Sequence, residues 1–492
     1  MEASPLRLYN TLAKREEEFS TIEPGKVRMY TCGPTVYGRP HIGNYSSFLM
    51  ADLLRRWLEV KGYEVKHVKN ITDVGHLVAD RDEGEDKIEK QAKAEKGAVS
   101  GQRSAVSAED VIAIARRYEE LFLEDERVLR ILEPFARPRA SGTIPEMIAI
   151  IRTLLDRGHA YETDDGIYFD VHTDLEYGKL SGNTLENLES GARIAVNEEK
   201  RHPADFALWK KCVGENAHHL LRWRYPSGER LSGEGEDASA GFPGWHIECS
   251  AMSRSLLGEQ LDVHTGGEDN IFPHHECEIA QSENSGPKPF SRYWLHKRRI
   301  DMGEAKMSKS LGNILTVPDI VAKGFDPLDL RYYFLSVHYR TNLKFTWRGM
   351  EDARKARLKI VEWMTEVEGQ ERQEGFGGTY AEKFAEAMDG DLNTPAALAV
   401  LFDAMKETRS NPSLDADQQA DVLHLIYIAG RTFGCFESSA ENIPADILAL
   451  AGQRDEARAR KDFAASDRIR DELQSRGYEV RDSKEGTKVK RK

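Results

Sequence analysis

The sequence has few cysteines, and their spacing shows no pairing pattern. Five cysteines, at positions 32, 212, 249, 277 and 435, are scattered over 492 residues. An odd number of widely separated cysteines is not a disulfide framework. We therefore expect reduced thiols, metal ligands, or both.

Long apolar runs and a targeting segment are also missing. No run approaches the roughly 20 apolar residues that cross a bilayer, which argues against an integral membrane protein. The first residues, Met1–Leu8, lack the apolar core of a secretion signal and include an acid that a transit peptide avoids. The expected location is cytoplasmic, with no membrane partner.

The chain has no excess of positive charge. Lysine and arginine number 69 against 83 acidic residues, so the formal net charge is −14. A nucleic-acid partner would have to be met by local basic patches against this background. A chain of 492 residues also exceeds what one hydrophobic core usually fills, so we expect several domains.

Two short segments together look like part of a metal site. Cys249 ends the segment Trp245–Cys249, and Pro273–Glu278 reads Pro-His-His-Glu-Cys-Glu. If Pro273 opens a helix, then His274, Cys277 and Glu278 share one face, because residues three and four apart are neighbours on a helix. Imidazole, thiolate and carboxylate suit zinc. The alternative is a solvated helix start beside an ordinary buried cysteine.

The ligand set stays open on chemical grounds. Thiolate is the better zinc donor, so chemistry alone ranks Cys277 above Glu278. Cys212, close to His218 and His219, forms a rival cluster. No second helical ligand pair accompanies it, and we interpret it as structural.

The order of elements predicts a parallel sheet near the start of the chain. Strands are expected over 27–31 and 63–68, with a helix between them whose apolar face runs from Phe48 to Leu58. Such a βαβ unit belongs in a parallel sheet, where ligands bind at the carboxyl ends of strands. The charged stretch 79–108 is expected to be exposed and mobile. Residues from about 140 to 240 mix helix with short strands, as an insertion does.

The last third of the chain is predicted to be mostly helical. Helical periodicity over 353–368, 380–388, 395–408, 416–431 and 446–460 favours a bundle. A final helix over 463–475 ends at Gly477, and a strand begins at Tyr478. The segment Lys484–Lys492 carries five basic residues and one acid, so it is either a disordered tail or an arm that contacts phosphate.

Two further segments are suited to phosphate. Pro40–Asn44 (Pro-His-Ile-Gly-Asn) lies where a glycine-punctuated loop meets a helix, and free backbone N–H groups there favour an anion. Lys306–Asn313 (Lys-Met-Ser-Lys-Ser-Leu-Gly-Asn) places two lysines on a short loop that can neutralise a polyphosphate. Each segment alone is weak evidence for phosphate binding, since capping histidines and basic surface loops are common.

Together these two segments resemble the HIGH and KMSKS signatures of class I aminoacyl-tRNA synthetases, and the chain resembles cysteinyl-tRNA synthetases in particular. Further matching segments lie between and after the two signatures, and the resemblance covers essentially the whole chain. These segments are Tyr30–Tyr37, Asn70–Asp73, Pro243–Met252, Phe272–Glu278 and Asp391–Pro395.

The resemblance implies a fold and a division of the chain. The fold is α/β, a Rossmann-like parallel-sheet catalytic domain with an insertion, then an α-helical tRNA-binding bundle and a small C-terminal unit. The implied units are 1–120 and 241–300 for the two halves of the catalytic domain, 121–240 for the insertion, 301–346 for the lysine loop and stem-contact region, 347–440 for the bundle, and 441–492 for the small α/β unit with its basic tail.

The resemblance also implies one zinc ion per chain, held by Cys32, Cys249, His274 and Glu278. It thus favours Glu278 over Cys277. The zinc would select the substrate, because a cysteine thiolate coordinates it and the hydroxyl of serine does so poorly.

Roles in ATP chemistry follow from the same resemblance. His41, Lys306 and Lys309 would be catalytic, with His41 on the phosphates and the lysines on the leaving pyrophosphate. The other implied contacts are Gly43, Asn44, Gly266, Gly267, Asp269 and Lys309 to ATP, and Gly33, Thr35, Thr72 and Trp245 to the amino acid. The chain departs from the family pattern at Asn44, where histidine is usual, at the extra Ala305, and in a long loop over 75–86.

The implied activity is ATP-dependent formation of cysteinyl-adenylate, with Mg²⁺, and transfer of cysteine to the 3′ end of tRNA(Cys). A monomer is favoured. Two alternatives stay open at this point. One is a ligase that passes cysteine to a small amino sugar, as in mycothiol synthesis. The other is a catalytically silent paralogue that binds tRNA.

Overall fold

The computed structural model describes residues 5–77, 85–100, 106–187, 200–231, 237, 239–302, 305–306, 314–368, 378–411, 414–436, 445–483 and 486–491. No helix within these ranges combines the length and the apolar character needed to cross a membrane.

The strands pair into several separate sheets. In chain order they are β1 (Arg7–Asn10), β2 (Arg15–Glu18), β3 (Lys26–Thr31), β4 (Glu64–Lys69), β5 (Ala160–Glu162), β6 (Gly166–Phe169), β7 (Phe206–Lys211), β8 (Trp223–Arg224), β9 (Ala240–Pro243), β10 (Leu261–Gly267), β11 (Ser291–Lys297), β12 (Ile300–Met302), β13 (Ala305–Lys306), β14 (Leu343–Phe345), β15 (Tyr478–Ser483) and β16 (Gly486–Arg491).

The α-helices flank the first sheets and then dominate the second half of the chain. They are α1 (Ile42–Val60), α2 (Lys87–Ser100), α3 (Ala108–Val128), α4 (Ile144–Asp156), α5 (Trp245–Leu257), α6 (Glu276–Ser285), α7 (Val317–Ala322), α8 (Pro327–Leu335), α9 (Trp347–Glu368), α10 (Thr379–Asp389), α11 (Thr394–Ser410), α12 (Ala416–Phe433), α13 (Ala445–Ala459) and α14 (Phe463–Ser475).

A four-stranded parallel sheet forms the centre of the first half of the chain, in the order β11-β10-β3-β4. The predicted βαβ unit is β3, α1 and β4. Its strands are buried at Met29 and Tyr30, and α1 covers them with an apolar face that includes Leu54. The carboxyl ends of β3, β10 and β11 meet at one edge, where a parallel sheet places its ligands.

Between β4 and β10 of the parallel sheet, the chain inserts a five-stranded antiparallel sheet, in the order β5-β6-β7-β9-β8. Its strand β9 leads through Gly244 directly into α5. A Cβ on Gly244 would lie 2.0 Å from the backbone oxygen of Ala207, so only glycine allows this close passage. The insertion thereby fixes where α5 begins beside the central sheet.

The charged stretch 79–108 is only partly as expected. Its residues 87–100 form α2, in which Ile88 and Ala92 are buried, so the prediction of an exposed segment is wrong for this part. Leu77 and Asp86 form an antiparallel bridge, which closes the excursion at its base. Residues 78–84 and 101–105 lie outside the described part of the chain.

The helical half contains α9 to α12, whose bounds lie within a few residues of the predicted periodic segments except at the start of α9. The bundle packs against α1, where Trp57 Nε1 donates to Asp389 Oδ1 at 3.0 Å. Arg331 on α8 is fully buried between α1 and the end of α12. It pairs with Asp52 of α1 at 2.5 Å and donates to the backbone oxygen of Phe433 at the end of α12.

The last unit has a small core of its own, formed by Ile447, Leu473, Tyr478 and Val480. Helix α14 has the predicted bounds, and Gly477 after it adopts a φ of +87°, as a helix-ending glycine should. Residues 486–491 pair with β15 as β16. The disordered-tail alternative is therefore wrong for these residues.

Candidate metal centre and nucleotide cavity

The four predicted metal ligands converge at the carboxyl edge of the central sheet. Cys32 follows β3 directly, Cys249 lies on α5, and Glu278 lies on α6. His274 belongs to a single wide turn that precedes α6. All four side chains are buried, and their ligand atoms lie within 4.8 Å of one another.

Their spacing fits a tetrahedral ion. Cys32 Sγ lies 3.7 Å from Cys249 Sγ and 3.5 Å from Glu278 Oε1. His274 Nε2 lies 3.4 Å from Cys249 Sγ and 3.2 Å from Glu278 Oε1. Zinc bonds of about 2.3 Å to sulfur and about 2.0–2.1 Å to nitrogen or oxygen separate tetrahedral ligands by about 3.3–3.8 Å. The residues present therefore fit zinc in both donor type and spacing.

Two other histidines border this cluster and fit a supporting role. His264 Nε2 lies 2.9 Å from Glu278 Oε2, a hydrogen-bond distance that orients the carboxylate. His275 Nε2 lies 3.3 Å from Cys32 Sγ, and its Nδ1 lies 2.8 Å from His296 Nε2. His264 and His275 also form a possible ligand group with Cys32 and Glu278. The short contact between His264 and Glu278 favours hydrogen bonding over shared coordination.

Burial favours the neutral forms of the two cysteine ligands and of the histidine. It raises the pKa of the Cys32 thiol well above its usual value, and hydrogen bonding and charge from Cys249 act in the same direction. Burial also raises the pKa of Cys249 and lowers that of His274 to about 3. A neutral imidazole has a lone pair available, whereas the thiols need a nearby cation to release their protons.

The sequence argument for Cys277 is wrong. Helix α6 begins at Glu276 rather than at Pro273, and Phe272 is extended (φ −140°, ψ 133°). Cys277 Sγ turns away and lies 3.7 Å from the hydroxyl of Tyr177. Within the described residues, neither Cys277 nor Cys212 belongs to a group able to hold a metal.

A cavity of about 540 Å³ extends from Cys32 to the start of α1. It joins the predicted amino-acid end to the predicted nucleotide end in one space. The predicted residues that line it are Cys32, Gly33, Thr35, His41, Gly43, Asn44, Trp245, Gly267 and Asp269.

Two other predicted contacts, Thr72 and Gly266, do not line this cavity. The hydroxyl of Thr72 donates to Glu248 Oε2 at 3.0 Å. A Cβ on Gly266 would lie 2.6 Å from Cε1 of His275. Both residues therefore contact side chains that lie behind the residues lining the cavity.

The start of α1 explains the departure at position 44. Asn44 N donates to His41 Nδ1 at 3.2 Å, and Asn44 Oδ1 accepts from His41 N at 3.1 Å. Asparagine thus completes a reciprocal cap that holds His41 at the helix N-terminus. Gly43 in this first turn lines the cavity, at the positive end of the helix dipole, where an anion is favoured.

The sequence reasoning missed several residues in the cavity wall, among them His76, Lys87 and Lys297. Burial lowers the pKa of Lys297 to about 8, so it is still largely a cation at neutral pH. Its place at the carboxyl end of a parallel strand was a usable signal. Lys87 gave no such signal, because it lies in the charged stretch 79–108 that predicted only exposed surface, and His76 lies just before that stretch.

The lysine loop is described only in part. The backbone of Lys306 lies in β13 and pairs with Asp301 of β12. Lys309 lies outside the described residues, as do the other residues of 307–313. The roles given to both lysines stay predictions.

Solved structures of other aminoacyl-tRNA synthetases resemble this fold. A Mycobacterium tuberculosis methionyl-tRNA synthetase bound by methionyl-adenylate matches with a TM-score of 0.55 and 14% identity, covering 90% of this chain and 96% of that one. The Agrobacterium radiobacter K84 agnB2 LeuRS ternary complex matches with a TM-score of 0.59 and 11% identity, covering 86% and 85%. At these identities the likeness concerns the fold.

Family models match three successive parts of the chain. A model described as "tRNA synthetases class I (C) catalytic domain" matches residues 18–355, which is more than half of the chain. A DALR domain matches 383–437, and a Cysteinyl-tRNA ligase anticodon binding domain matches 440–489. Fold and site together define a class I aminoacyl-tRNA synthetase.

Curated relatives match along nearly their whole length. A cysteine–tRNA ligase of Chlorobaculum tepidum is 41% identical over 507 residues, covering 98% of both chains. One of Thermus thermophilus is 41% identical over 499 residues, again covering 98% of both. The chain belongs to the cysteinyl-tRNA ligase family.

Proposed function

We propose that this protein is a cysteine–tRNA ligase that activates L-cysteine with ATP and transfers it to the 3′ end of tRNA(Cys). The observation that carries the proposal is the cavity itself. It runs from Cys32, within a cluster fitted to zinc, to the His41 cap at the N-terminus of α1. A thiol-selecting end and an anion-binding end thus share one space.

We infer that Cys32, Cys249, His274 and Glu278 hold one zinc ion. When bound, zinc supplies a soft Lewis-acid position that distinguishes a thiol from a hydroxyl. The protein orients its ligands through the contact of His264 with Glu278. Burial of the cluster excludes water that would compete for the position.

The amino-acid end of the cavity has a defined wall. The ring of Trp245 stacks on the ring of His274, with centroids 4.6 Å apart. Gly33 N donates to Asn70 Oδ1 at 2.7 Å, and a Cβ at Gly33 would overlap the backbone oxygen of Asn70. We propose that Trp245, Gly33 and Thr35 bound the cysteine, while Thr72 supports the wall through Glu248.

The nucleotide end carries the positive charge. Lys297, Arg298 and Arg299 line the cavity, and the N-terminus of α1 adds the positive end of its helix dipole. We propose that His41, Gly43 and Asn44 contact the phosphates, with Gly267 and Asp269 toward the adenosine. Mg²⁺ would accompany ATP as part of the substrate. Lys306 and Lys309 are proposed to stabilise the leaving pyrophosphate.

The chemistry needs positioning and charge stabilisation rather than a protein nucleophile. The cysteine carboxylate attacks the α-phosphorus of ATP, a carboxyl–phosphate bond forms, and pyrophosphate leaves. A terminal ribose hydroxyl of tRNA then attacks the carboxyl carbon. An ester forms, AMP leaves, and the hydroxyl proton is released.

The C-terminal half supports tRNA as the acceptor. The segments that match the DALR domain and the anticodon binding domain continue almost to the end of the chain. A ligase for a small amino sugar has no use for either. We propose cytoplasmic action, because all five cysteines carry free thiols, as expected in a reducing compartment.

Cysteine-dependent exchange of pyrophosphate into ATP tests the activation step. Zinc-loaded protein should exchange with cysteine and at most weakly with serine. It should then charge tRNA(Cys) but not an amino-sugar acceptor. Absence of cysteine-dependent exchange would overturn the proposal. Charging of the amino sugar alone would identify a ligase for a small amino sugar instead.

A further inference from the structure

The start of α2 is attached to the wall of the cavity. Lys87 N donates to the backbone oxygen of His76 at 3.0 Å, directly beside the bridge between Leu77 and Asp86. Asp86 caps the helix, because its Oδ1 accepts from Ile88 N at 2.7 Å. The charged excursion therefore returns to the cavity at Lys87.

The opposite side of the same helix start is fixed by the insertion. Glu89 Oε1 accepts from Leu220 N at 2.6 Å. His219 lies between the two acids, 3.4 Å from Glu89 and 3.9 Å from Asp86, and stacks on Phe242 with centroids 3.8 Å apart. These side chains are buried, so Lys87 is held in place from outside the catalytic sheet.

The ammonium of Lys87 determines which ring nitrogen of His76 carries the proton. Lys87 Nζ lies 2.5 Å from His76 Nε2. An ammonium only donates hydrogen bonds, so Nε2 must accept and the ring proton of the neutral imidazole lies on Nδ1. Nδ1 in turn lies 2.7 Å from Thr35 Oγ1, which accepts that proton's hydrogen bond.

The ring fixed in this way supports the wall of the amino-acid end. His76 stacks on Trp245 with centroids 3.9 Å apart and planes 11° apart. Trp245 stacks in turn on His274, the inferred zinc ligand, with planes 28° apart. Lys87 also lies over the Trp245 ring, 5.9 Å from its centroid. A continuous stack thus joins Lys87 to the metal centre.

We propose that Lys87 is a positioning residue for cysteine: it holds His76 in one tautomer and thereby holds Trp245 against His274. The inference rests on the proposed function, since it concerns the binding of that substrate. Its contact with His76 makes the width of the thiol pocket depend on a residue from the excursion. Lys87 then acts on the affinity for cysteine rather than on the chemical step.

Replacing the ammonium tests this role. Lys87→Met keeps the side-chain length and removes the donor, and kcat/KM for cysteine should fall about tenfold. The fall should come from KM for cysteine, with KM for ATP and zinc content unchanged. Lys87→Arg should recover part of the loss. Lys90→Met, on the exposed side of α2, is the matched control and should behave as wild type. An unchanged KM for cysteine in Lys87→Met overturns the proposal.

A double variant separates positioning from direct contact with substrate. His76→Phe keeps the stack but cannot accept from Lys87, so adding Lys87→Met should cause no further loss. Additive losses would mean that Lys87 acts independently of His76, and the proposal fails. If wild type lacks cysteine-dependent exchange, the proposed function fails instead. Trp245 emission, taken as the difference from Trp245→Phe, still decides the inference: Lys87→Met must change it and Lys90→Met must not.

Discussion

Two buried clusters of ionisable groups satisfy their charges in opposite ways. The arginine junction, formed by Asp52, Arg56 and Arg331, is complete within the protein. Asp52 Oδ2 lies 2.5 Å from Arg331 Nη2 and 2.7 Å from Arg56 Nε. Its Oδ1 accepts from Leu132 N at 2.7 Å. Each carboxylate oxygen thus has a donor.

The metal centre offers two thiols, an imidazole and a carboxylate around one point. Burial alone would raise the pKa of Asp52, but Arg331 and Arg56 outweigh burial and lower it to about 2. At the metal centre burial prevails: the pKa of Cys32 is raised and that of His274 is lowered to about 3. The arginine junction has its cations within the protein, whereas the thiols of the metal centre need a cation from outside the chain to lose their protons.

The largest expected effect comes from removing a thiol from the metal centre. Cys249→Ser should lose zinc and reduce cysteine-dependent pyrophosphate exchange roughly 100-fold or more, since even supporting residues of metal sites are worth 10–100-fold. Zinc content by atomic absorption and exchange rates measure the two losses.

Cys277→Ser is the matched control for this change. Cys277 is as buried as Cys249 but contacts Tyr177 rather than the cluster. It should keep both zinc and activity. Loss of the metal in Cys277→Ser would show that the ligand set is wrong.

A substitution in the arginine junction should lower the free energy of unfolding. The activity of each folded molecule should not change. Arg331→Met leaves the Asp52 carboxylate buried with one partner fewer, which costs about 3–5 kcal/mol. Urea unfolding should report this cost as a lower midpoint. Arg409→Met, which removes an exposed pair with Glu366 at 3.0 Å, should cost only about 0–1 kcal/mol. Equal costs for the two variants would show that the buried junction contributes no more to stability than an exposed ion pair does.

A smaller effect should follow from removing the support of a metal ligand. His264→Phe keeps a ring in the stack on Trp294 but deletes the contact with Glu278. Zinc affinity should fall about 10–100-fold while the ligands themselves stay in place. Competition with a chelator measures the affinity. An unchanged affinity would mean that Glu278 is oriented by other contacts.

Sequence reasoning was most accurate where a local pattern determines the outcome. Periodicity predicted α12 and α14 closely, and the βαβ unit followed from alternating elements. Proximity of Cys32 to Cys249 could not be derived in this way, because 217 positions separate them and only the parallel sheet brings them together. The resemblance to a family supplied that pair.

The errors have physical causes of the same kind. Pro273 suggested a helix start, yet a wide turn intervenes and rotates Cys277 away from the cluster. The charge pattern predicts exposed surface at Lys87, because the contact that fixes the start of α2, from Glu89 to Leu220, involves the insertion more than a hundred positions later. Long-range contacts of this type leave no periodic trace in sequence.

The smallest effect concerns pH at the arginine junction. The folded pKa of Asp52, about 2, lies below its ordinary value of 3.8, so the stabilisation of about 2 kcal/mol is present above pH 4. It should disappear as the pH falls from about 4 to 2, because the unfolded state then binds the proton more readily. Asp52→Asn should flatten this part of the stability curve, measured by urea unfolding of zinc-free protein. In zinc-loaded protein the metal should leave at a higher pH, because its thiolate ligands take up protons first. If the stabilisation by Asp52 were lost at a higher pH than the metal, the arginine junction would be the more acid-sensitive of the two clusters.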